Sequence, residues 1–146
     1  MRFSMHSTDY QDTFIAIAPD CPVAQGTVPP ASAKPSAASL AYQLIQSQPY
    51  QLSSDDVLFT VYADRLQIPP QDRQAARVAF FSKPQACLRA SDLGKRYGWG
   101  IHCNTDGKVA LVGAETAAYQ ALLSGQLPDQ PAHRVTVKYA MRTRRA

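Results

Sequence analysis

The sequence is poor in the residues from which most catalytic and metal-binding motifs are built. Glu115 is the only glutamate among 146 residues, and the three cysteines form no CxxC pair. The glycines match neither the dinucleotide-binding nor the P-loop fingerprint. The chain therefore offers no standard motif for paired-carboxylate chemistry, for a zinc site or for a phosphate-binding loop.

Long hydrophobic runs are also absent. The longest are Phe14–Ala18 and Val109–Val112, far short of the roughly 18 residues that span a bilayer. The first of these runs is also too short for the core of a signal peptide. The three cysteines are too few, and odd in number, for a disulfide-stapled secreted module. We therefore expect a soluble, cytoplasmic protein with reduced thiols and no membrane partner.

Charge is unevenly distributed along a chain whose net charge is +4. Residues 1–72 hold three basic residues against seven aspartates, whereas residues 73–146 hold twelve basic residues against four acidic ones. Such asymmetry is typical of a surface that meets phosphate or carboxylate groups. The alternative is a set of scattered, solvated charges, because position in the sequence does not locate a charge in space.

Three segments outside the hairpin described below have the composition of strands. Thr13–Ala18 contains β-branched residues and is stopped by a proline-containing turn. Val57–Tyr62 carries apolar side chains at both odd and even positions, which predicts a central strand covered on both faces. Arg134–Tyr139 alternates between polar and apolar residues, which predicts a half-buried C-terminal strand.

A hairpin is the clearest local prediction. Trp99–Cys103 and Lys108–Val112 flank four turn-forming residues that end in an Asp-Gly pair. Successive side chains of a strand point to opposite faces of the sheet. We therefore predict that Trp99 and Ile101 face the core and that His102 faces the other way.

Helices are predicted where apolar residues recur at helical spacing between capping residues and prolines. The predicted helices run from Ser36 to Pro49, from Pro69–Pro70 to Phe80, for a turn or two from Pro84, from Ser91 to Gly98, and from Glu115 to Leu123. Asp55 and Asp56 are predicted to be turn residues.

These elements indicate an α+β fold in a single domain, residues 1–146, with a mixed or antiparallel sheet of about five strands packed against roughly three to four helices. The proline-rich stretch Thr27–Pro35 predicts an irregular surface connection. The N-terminal extension, residues 1–8, and the basic C-terminal end, residues 141–146, are expected to be poorly ordered.

Several strings of residues resemble a known family of small, mainly bacterial proteins, grouped as domain of unknown function 6157. The resemblance covers most of the chain and implies no reaction, ligand or catalytic residue. It rests on Met5–Thr8, Thr13–Ile15, Ser54–Phe59, Phe80–Lys83, Gln85–Ser91 and Lys95–His102.

A cysteine-dependent enzyme is one functional hypothesis for the region that contains Gln85–Ser91 and Lys95–His102. Cys87 would be the nucleophile and His102 the base, because a thiolate forms near neutral pH beside an imidazole or a positive field, to which Arg89 would add. The alternative is that Cys87, in the middle of a predicted helix, is a buried and unreactive small hydrophobe.

Neither a metal nor a cofactor is predicted. His102 and Cys103 are adjacent in a predicted strand, so their side chains point to opposite faces and do not share one tetrahedral ion.

The preferred hypothesis is a binding module for an anionic small molecule or a nucleic acid. The region Lys83–His102 combines cations for phosphate groups with rings for stacking. Alternatively, Tyr97 and Trp99 seal the core while the cations are solvated. The predicted ligand-binding residues are Lys83, Arg89, Lys95, Arg96, Tyr97, Trp99 and His102.

An interaction protein, for example a homodimer, is the third functional class. Its partner would dock on exposed aromatic residues such as Tyr42, Tyr50 and Tyr62.

Overall fold

The computed structural model describes residues 6–143, which form a four-stranded mixed sheet and five α-helices. The strand order is β3-β2-β1-β4, with β1 antiparallel to β2 and parallel to β4. The α+β prediction is confirmed, with four strands rather than about five. The strands are β1 (Thr13–Ala16), β2 (Trp99–Cys103), β3 (Val109–Gly113) and β4 (Thr136–Tyr139).

Helices cover both faces of the sheet. The α-helices are α1 (Ala37–Ser47), α2 (Ser54–Arg65), α3 (Arg73–Phe81), α4 (Asp92–Lys95) and α5 (Ala117–Leu123). Two short 3₁₀ turns, Pro70–Asp72 and Leu88–Ala90, precede α3 and α4. None of the helices in residues 6–143 combines the length and the apolar character needed to cross a membrane.

The alternation of side chains along the strands divides the core into two layers. On the first face Ile15 and Ile101 pack with residues of α1, α2 and α4. On the second face Phe14 packs with Tyr119 and Leu122 of α5. Helix α3 packs on α2, away from the sheet, through a third cluster of aromatic residues. We call the two sides of the sheet the α2 face and the α5 face.

The prediction of a central strand at Val57–Tyr62 is wrong, because these residues lie within α2. The helix begins at a capping box in which the Ser53 side chain accepts a hydrogen bond from the Asp56 N–H and the Asp56 side chain accepts one from the Ser53 N–H. Asp55 and Asp56 are therefore first-turn helical residues rather than turn residues. The apolar residues of α2 occur at both odd and even positions because one side of the helix packs against α1 and another side packs against α3.

The hairpin prediction is confirmed by the pairing of β2 with β3. Ile101 is buried, and Trp99 is half-buried against the same cluster, whereas His102 lies on the α5 face. His102 is also buried, with only 5% of its surface exposed, so both faces of β2 are covered.

The predicted burial pattern of the C-terminal strand holds at one end. Val135 is buried, but Tyr139 is 47% exposed, because β4 is an edge strand.

The described part of the N-terminal segment contacts the start of α2. The Ser7 hydroxyl and the Thr8 N–H both donate to the Asp55 carboxylate, and Thr8 is buried. Residues 1–5 and 144–146, which belong to the segments predicted to be poorly ordered, lie outside the described residues.

Candidate functional site

Cys87 lies in an extended stretch rather than in a helix, which corrects the mid-helix prediction. Helix α3 ends at Phe81, and no helical residue follows until the 3₁₀ turn Leu88–Ala90, which Cys87 precedes with φ −80° and ψ 178°. Pro84 lacks an N–H and restricts the preceding residue to extended conformations, which favours this interruption. Cys87 is consequently half-buried, on the α2 face of the sheet.

The partner of Cys87 is Tyr10, a residue that precedes β1. The Cys87 Sγ lies 3.3 Å from the Tyr10 hydroxyl oxygen. This hydrogen bond, together with burial, raises the pKa of Tyr10, while the Arg89 guanidinium lowers it by a smaller amount. The Lys138 ammonium lies 5.8 Å from the centroid of the Tyr10 ring. The Tyr10 side chain therefore has one thiol and two cations as neighbours.

Hydrogen bonds with backbone groups of Tyr139 and Met141 hold Arg89 beside Tyr10. Its Nε–H donates to the Tyr139 carbonyl over 2.7 Å, and its own carbonyl accepts from the Met141 N–H over 2.8 Å. Within residues 6–143 neither Arg89 nor Lys138 forms a salt bridge, whereas Arg77 pairs with Asp56 over 2.9 Å. The positive charge beside Cys87 and Tyr10 is thus not compensated by a carboxylate of the described chain.

A cavity of about 260 Å³ opens beside Cys87 on the side of α1 and α2. Its walls are mostly small apolar side chains, and its polar groups come from the segment that follows Cys87. The lining residues are Ala37, Ala38, Ala41, Val57, Leu58, Val61, Ala86, Cys87, Leu88, Ala90, Ser91 and Asp92. We call this space the Cys87 cavity. Because Cys87 lines it and also contacts Tyr10, this residue connects the apolar space with the cations.

Other residues of the predicted basic site contact different parts of the structure. Lys83 is exposed after α3, and Lys95 is half-buried in the last turn of α4. The Arg96 Nε lies 3.6 Å from the Asp92 carboxylate, one helical turn away. Of the predicted cations, Arg89 is the one that interacts with Tyr10, the partner of the Cys87 thiol.

Tyr97 and Trp99 tie the proline-rich connection to the core. The Tyr97 carbonyl accepts from both the N–H and the hydroxyl of Thr27, and the Trp99 indole N–H donates to the Thr27 carbonyl over 2.7 Å. The Trp99 ring packs against Tyr42 with centroids 5.6 Å apart. These contacts agree with the alternative in which the two rings seal the core.

Cys87 and His102 lie on opposite faces of the sheet, so the structure does not bring the two candidate catalytic residues together. His102 instead contacts the Tyr50 hydroxyl through Nδ1 at 2.8 Å. Burial lowers the pKa of His102, which favours the neutral ring. Burial also raises the pKa of Cys103 to about 12, so this thiol is an inert part of the α2-face core.

Sequence reasoning missed Tyr10 and Lys138, and it named Tyr50 as a docking residue for a partner but not as the partner of His102. Tyr10 stands 77 positions before Cys87, and Tyr50 stands 52 positions before His102. No local pattern links residues so far apart. In the described part of the chain, no three His, Cys, Asp or Glu side chains are placed to hold a metal ion.

Comparisons with known proteins agree with the resemblance noted in the sequence. Neither the search of curated proteins nor the search of solved structures found a match. The sequence model of one family, described as a family of unknown function (DUF6157), matches residues 5–146. The match covers nearly the whole chain, including β1, α2, the Cys87 segment and the hairpin. The protein therefore belongs to the DUF6157 family.

Proposed function

We propose that the protein is a binding module for a small molecule with an apolar body and an anionic group. The apolar body occupies the Cys87 cavity, and the anionic group lies towards Arg89 and Lys138. The single observation that carries this proposal is the position of Cys87, which lines an apolar space and touches Tyr10 beside two cations without a described carboxylate partner.

The two halves of the site favour a ligand of mixed character. Burying apolar ligand surface in a preformed cavity provides affinity, and a few polar groups fix the orientation. A hydrogen bond between an anionic group and a cation contributes more binding free energy than one between neutral groups. Asp92 lies at the cavity wall and disfavours an anionic group inside it. The negative end of the ligand is therefore expected on the Tyr10 side of Cys87.

The test is a thermal-shift screen followed by calorimetric titration with straight-chain carboxylates, from acetate to decanoate, and with the matching alcohols. A ligand that binds the native state raises the melting temperature. We expect the carboxylates to bind more tightly than the alcohols. We also expect Lys138→Met to weaken carboxylate binding by about tenfold while leaving alcohol binding unchanged.

Matched variants separate the cavity from the rest of the surface. Ala37 is exposed at the start of α1 and lines the cavity, so Ala37→Phe is expected to obstruct it without disturbing the core. Ala75→Phe, at an exposed position of α3 away from the cavity, is the control. Equal binding by both variants, or no thermal shift with any of the carboxylates, would overturn the proposal and favour the interaction-protein hypothesis, for which Tyr50 and Tyr62 are exposed.

Nucleic acid is the other anionic ligand predicted from the sequence. A small molecule is favoured because the Trp99 ring is packed against Tyr42 and its N–H is bonded to Thr27, which leaves it unsuited to base stacking. Labelled oligonucleotides at several salt concentrations distinguish the two ligands. Affinity that falls steeply with salt indicates release of counterions from a phosphate backbone.

A thiol-dependent enzyme is the second candidate, now with Tyr10 rather than His102 beside Cys87. The half-buried position of Cys87 on a cavity wall favours it, because cations beside an accessible thiol are the surroundings in which cysteines react. We expect iodoacetamide to label Cys87 at least about tenfold faster than Cys103 in the native protein, as measured by peptide mass spectrometry. Equally slow labelling of both residues would indicate that Cys87 is an unreactive packing residue.

A further inference from the structure

His102 occupies an unusual position on the α5 face. It lies at the centre of the sheet, with Phe14 and Ala110 as its partners on the neighbouring strands. The residue is only 5% exposed. Its Nδ1 contacts the Tyr50 hydroxyl at 2.8 Å, but its Nε2 is buried without a hydrogen-bond partner among the described residues. Buried polar atoms of this kind are rare in folded proteins and call for an explanation.

Tyr50 belongs to the segment that covers the outer edge of β3. We call residues 48–53, which connect α1 with α2, the β3 strap. The Tyr50 N–H donates to the Val109 carbonyl over 2.9 Å, and the Val109 N–H donates to the Leu52 carbonyl over 2.9 Å. An isolated bridge joins Ser53 to Lys108 at the end of the strap. The strap therefore occupies backbone groups that an edge strand otherwise exposes.

The backbone of Tyr50 is held in a conformation that tyrosine rarely adopts. Its φ is +60°, in the left-handed region, which costs on the order of 1–2 kcal/mol for a residue with a side chain. The residue is 43% exposed, so burial of its ring does not account for this conformation. The contact with His102, a hydrogen bond together with an edge-on ring packing at 5.5 Å between centroids, is a side-chain interaction that helps to offset this cost, beside the backbone hydrogen bonds of the strap.

The direction of the hydrogen bond follows from the charges around it. Burial raises the pKa of Tyr50, with a further contribution from Asp129, so the phenol keeps its proton and donates. Burial lowers the pKa of His102, so Nδ1 of the neutral ring accepts and the proton lies on Nε2. The titratable groups that act on the pair are Asp12 and His133, near His102, and Asp129 and Cys103, near Tyr50. Lys108 lies beside the end of the strap, where its backbone bridges to Ser53.

We propose that Tyr50 and His102 form a pH-sensitive latch that holds the β3 strap on the sheet while the imidazole is neutral and releases it when the imidazole is protonated. Protonation places a hydrogen on Nδ1, so the hydrogen bond is kept only if the Tyr50 hydroxyl rotates and accepts instead. The larger cost is the positive charge, which is buried beside an Nε2–H that has no hydrogen-bond partner among the described residues. Turning the ring towards water relieves this cost, and the left-handed Tyr50 then loses a contact that helps to offset its strain.

The pH range of the latch follows from the sign of the shift. A histidine whose folded pKa is lowered adds stability that is complete above its ordinary pKa of about 6.5 and is lost as pH falls through the folded pKa. Asp12 partly opposes this shift, because its negative charge favours the protonated ring, whereas His133 reinforces it. The strap should therefore be closed at neutral pH and open in mild acid.

Amide hydrogen exchange tests the latch directly. The Tyr50 and Val109 amides report on the strap, and the Ala140 amide, which donates to the Ala16 carbonyl on the opposite side of the sheet, is the control. After correction for intrinsic rates, protection of the Tyr50 and Val109 amides should fall by about tenfold between about pH 8 and about pH 5. Protection of the Ala140 amide should stay constant.

Two variants separate the latch from general destabilisation. Tyr50→Phe keeps the exposed ring but removes the hydroxyl, so the strap amides should show low protection at both pH values. His102→Asn keeps an acceptor near the position of Nδ1 and does not titrate, so their protection should be high at both. A constant protection ratio between strap and control amides in the unmodified protein, or unchanged pH dependence in Tyr50→Phe, would overturn the proposal even if His102→Asn does not fold.

Discussion

Replacing Phe14 by alanine is expected to lower the free energy of unfolding by about 3–5 kcal/mol. Phe14 is completely buried in β1, and its ring meets the Tyr119 ring edge-on with centroids 5.1 Å apart. Gly100 of the neighbouring strand leaves the space that the ring fills, because a Cβ there would lie 2.5 Å from the Phe14 Cζ. Alanine would lose the transfer free energy of the ring and leave a cavity in the α5-face core.

Urea unfolding followed by circular dichroism measures this loss. Val78→Ala is the control, because Val78 is 56% exposed on α3 and its substitution should change stability by no more than about 0.5 kcal/mol. If Phe14→Ala lost less than about 1 kcal/mol, the α5-face core would not be packed as described.

Local sequence signals predicted the hairpin, α1 and α5, because each of these elements is specified by residues within it. The Ser36 and Thr116 side chains cap α1 and α5 as N-cap residues, and a turn ending in Asp106-Gly107 joins the hairpin strands. Gly107 adopts a φ of +77°, which glycine tolerates without strain.

Helix α2 shows how a local signal can mislead. The apolar residues of Val57–Tyr62 have the composition of a buried strand, and periodicity does not separate such a strand from a helix that is buried on several sides. Val57 and Val61 pack on the α2-face core, whereas Phe59 packs with α3. The capping box of Ser53 and Asp56 is the signal that would have identified the helix, because a carboxylate three residues after a serine satisfies the first free N–H groups of a helix.

The candidate site depended on contacts that no local pattern contains. Cys87 and Arg89 were named from the sequence, but Tyr10 contacts Cys87 from before β1, and Lys138 lies over the Tyr10 ring from β4, which pairs with β1. His102 was named as well, yet its partner Tyr50 lies in the connection between α1 and α2. Sequence reasoning thus named two residues of the first cluster and one of the second as site residues, and the tertiary structure supplied their partners.

The two proposed features lie on opposite faces of the sheet, so each is testable without the other. Ala37→Phe and Lys138→Met alter the ligand site on the α2 face, while Tyr50→Phe alters the latch at the edge of β3. Changes at sites without shared contacts are expected to have additive effects on stability. A ligand that binds equally well to the unmodified protein and to Tyr50→Phe would show that the two features are independent.

Gly98→Ala is expected to be the second strongly destabilising substitution. Gly98 has a φ of +78°, and an added Cβ would collide with the backbone carbonyl of Gln25, whose carbon would lie 2.6 Å away. Backbone cannot move aside as a flexible side chain does. The left-handed conformation costs on the order of 1–2 kcal/mol for alanine, and the collision adds about 1–3 kcal/mol.

Gly107→Ala is the matched control, since Gly107 has nearly the same φ, +77°, but the nearest neighbour of an added Cβ would be the Tyr10 carbonyl oxygen at 3.6 Å. This variant should lose only the conformational part, about 1–2 kcal/mol. Because the collision displaces the segment whose Thr27 carbonyl accepts from the Trp99 indole, Gly98→Ala should also shift the emission of Trp99, the only tryptophan, to longer wavelength. Equal losses of stability in the two variants, with unchanged Trp99 emission, would show that the contact between Gly98 and Gln25 is not formed.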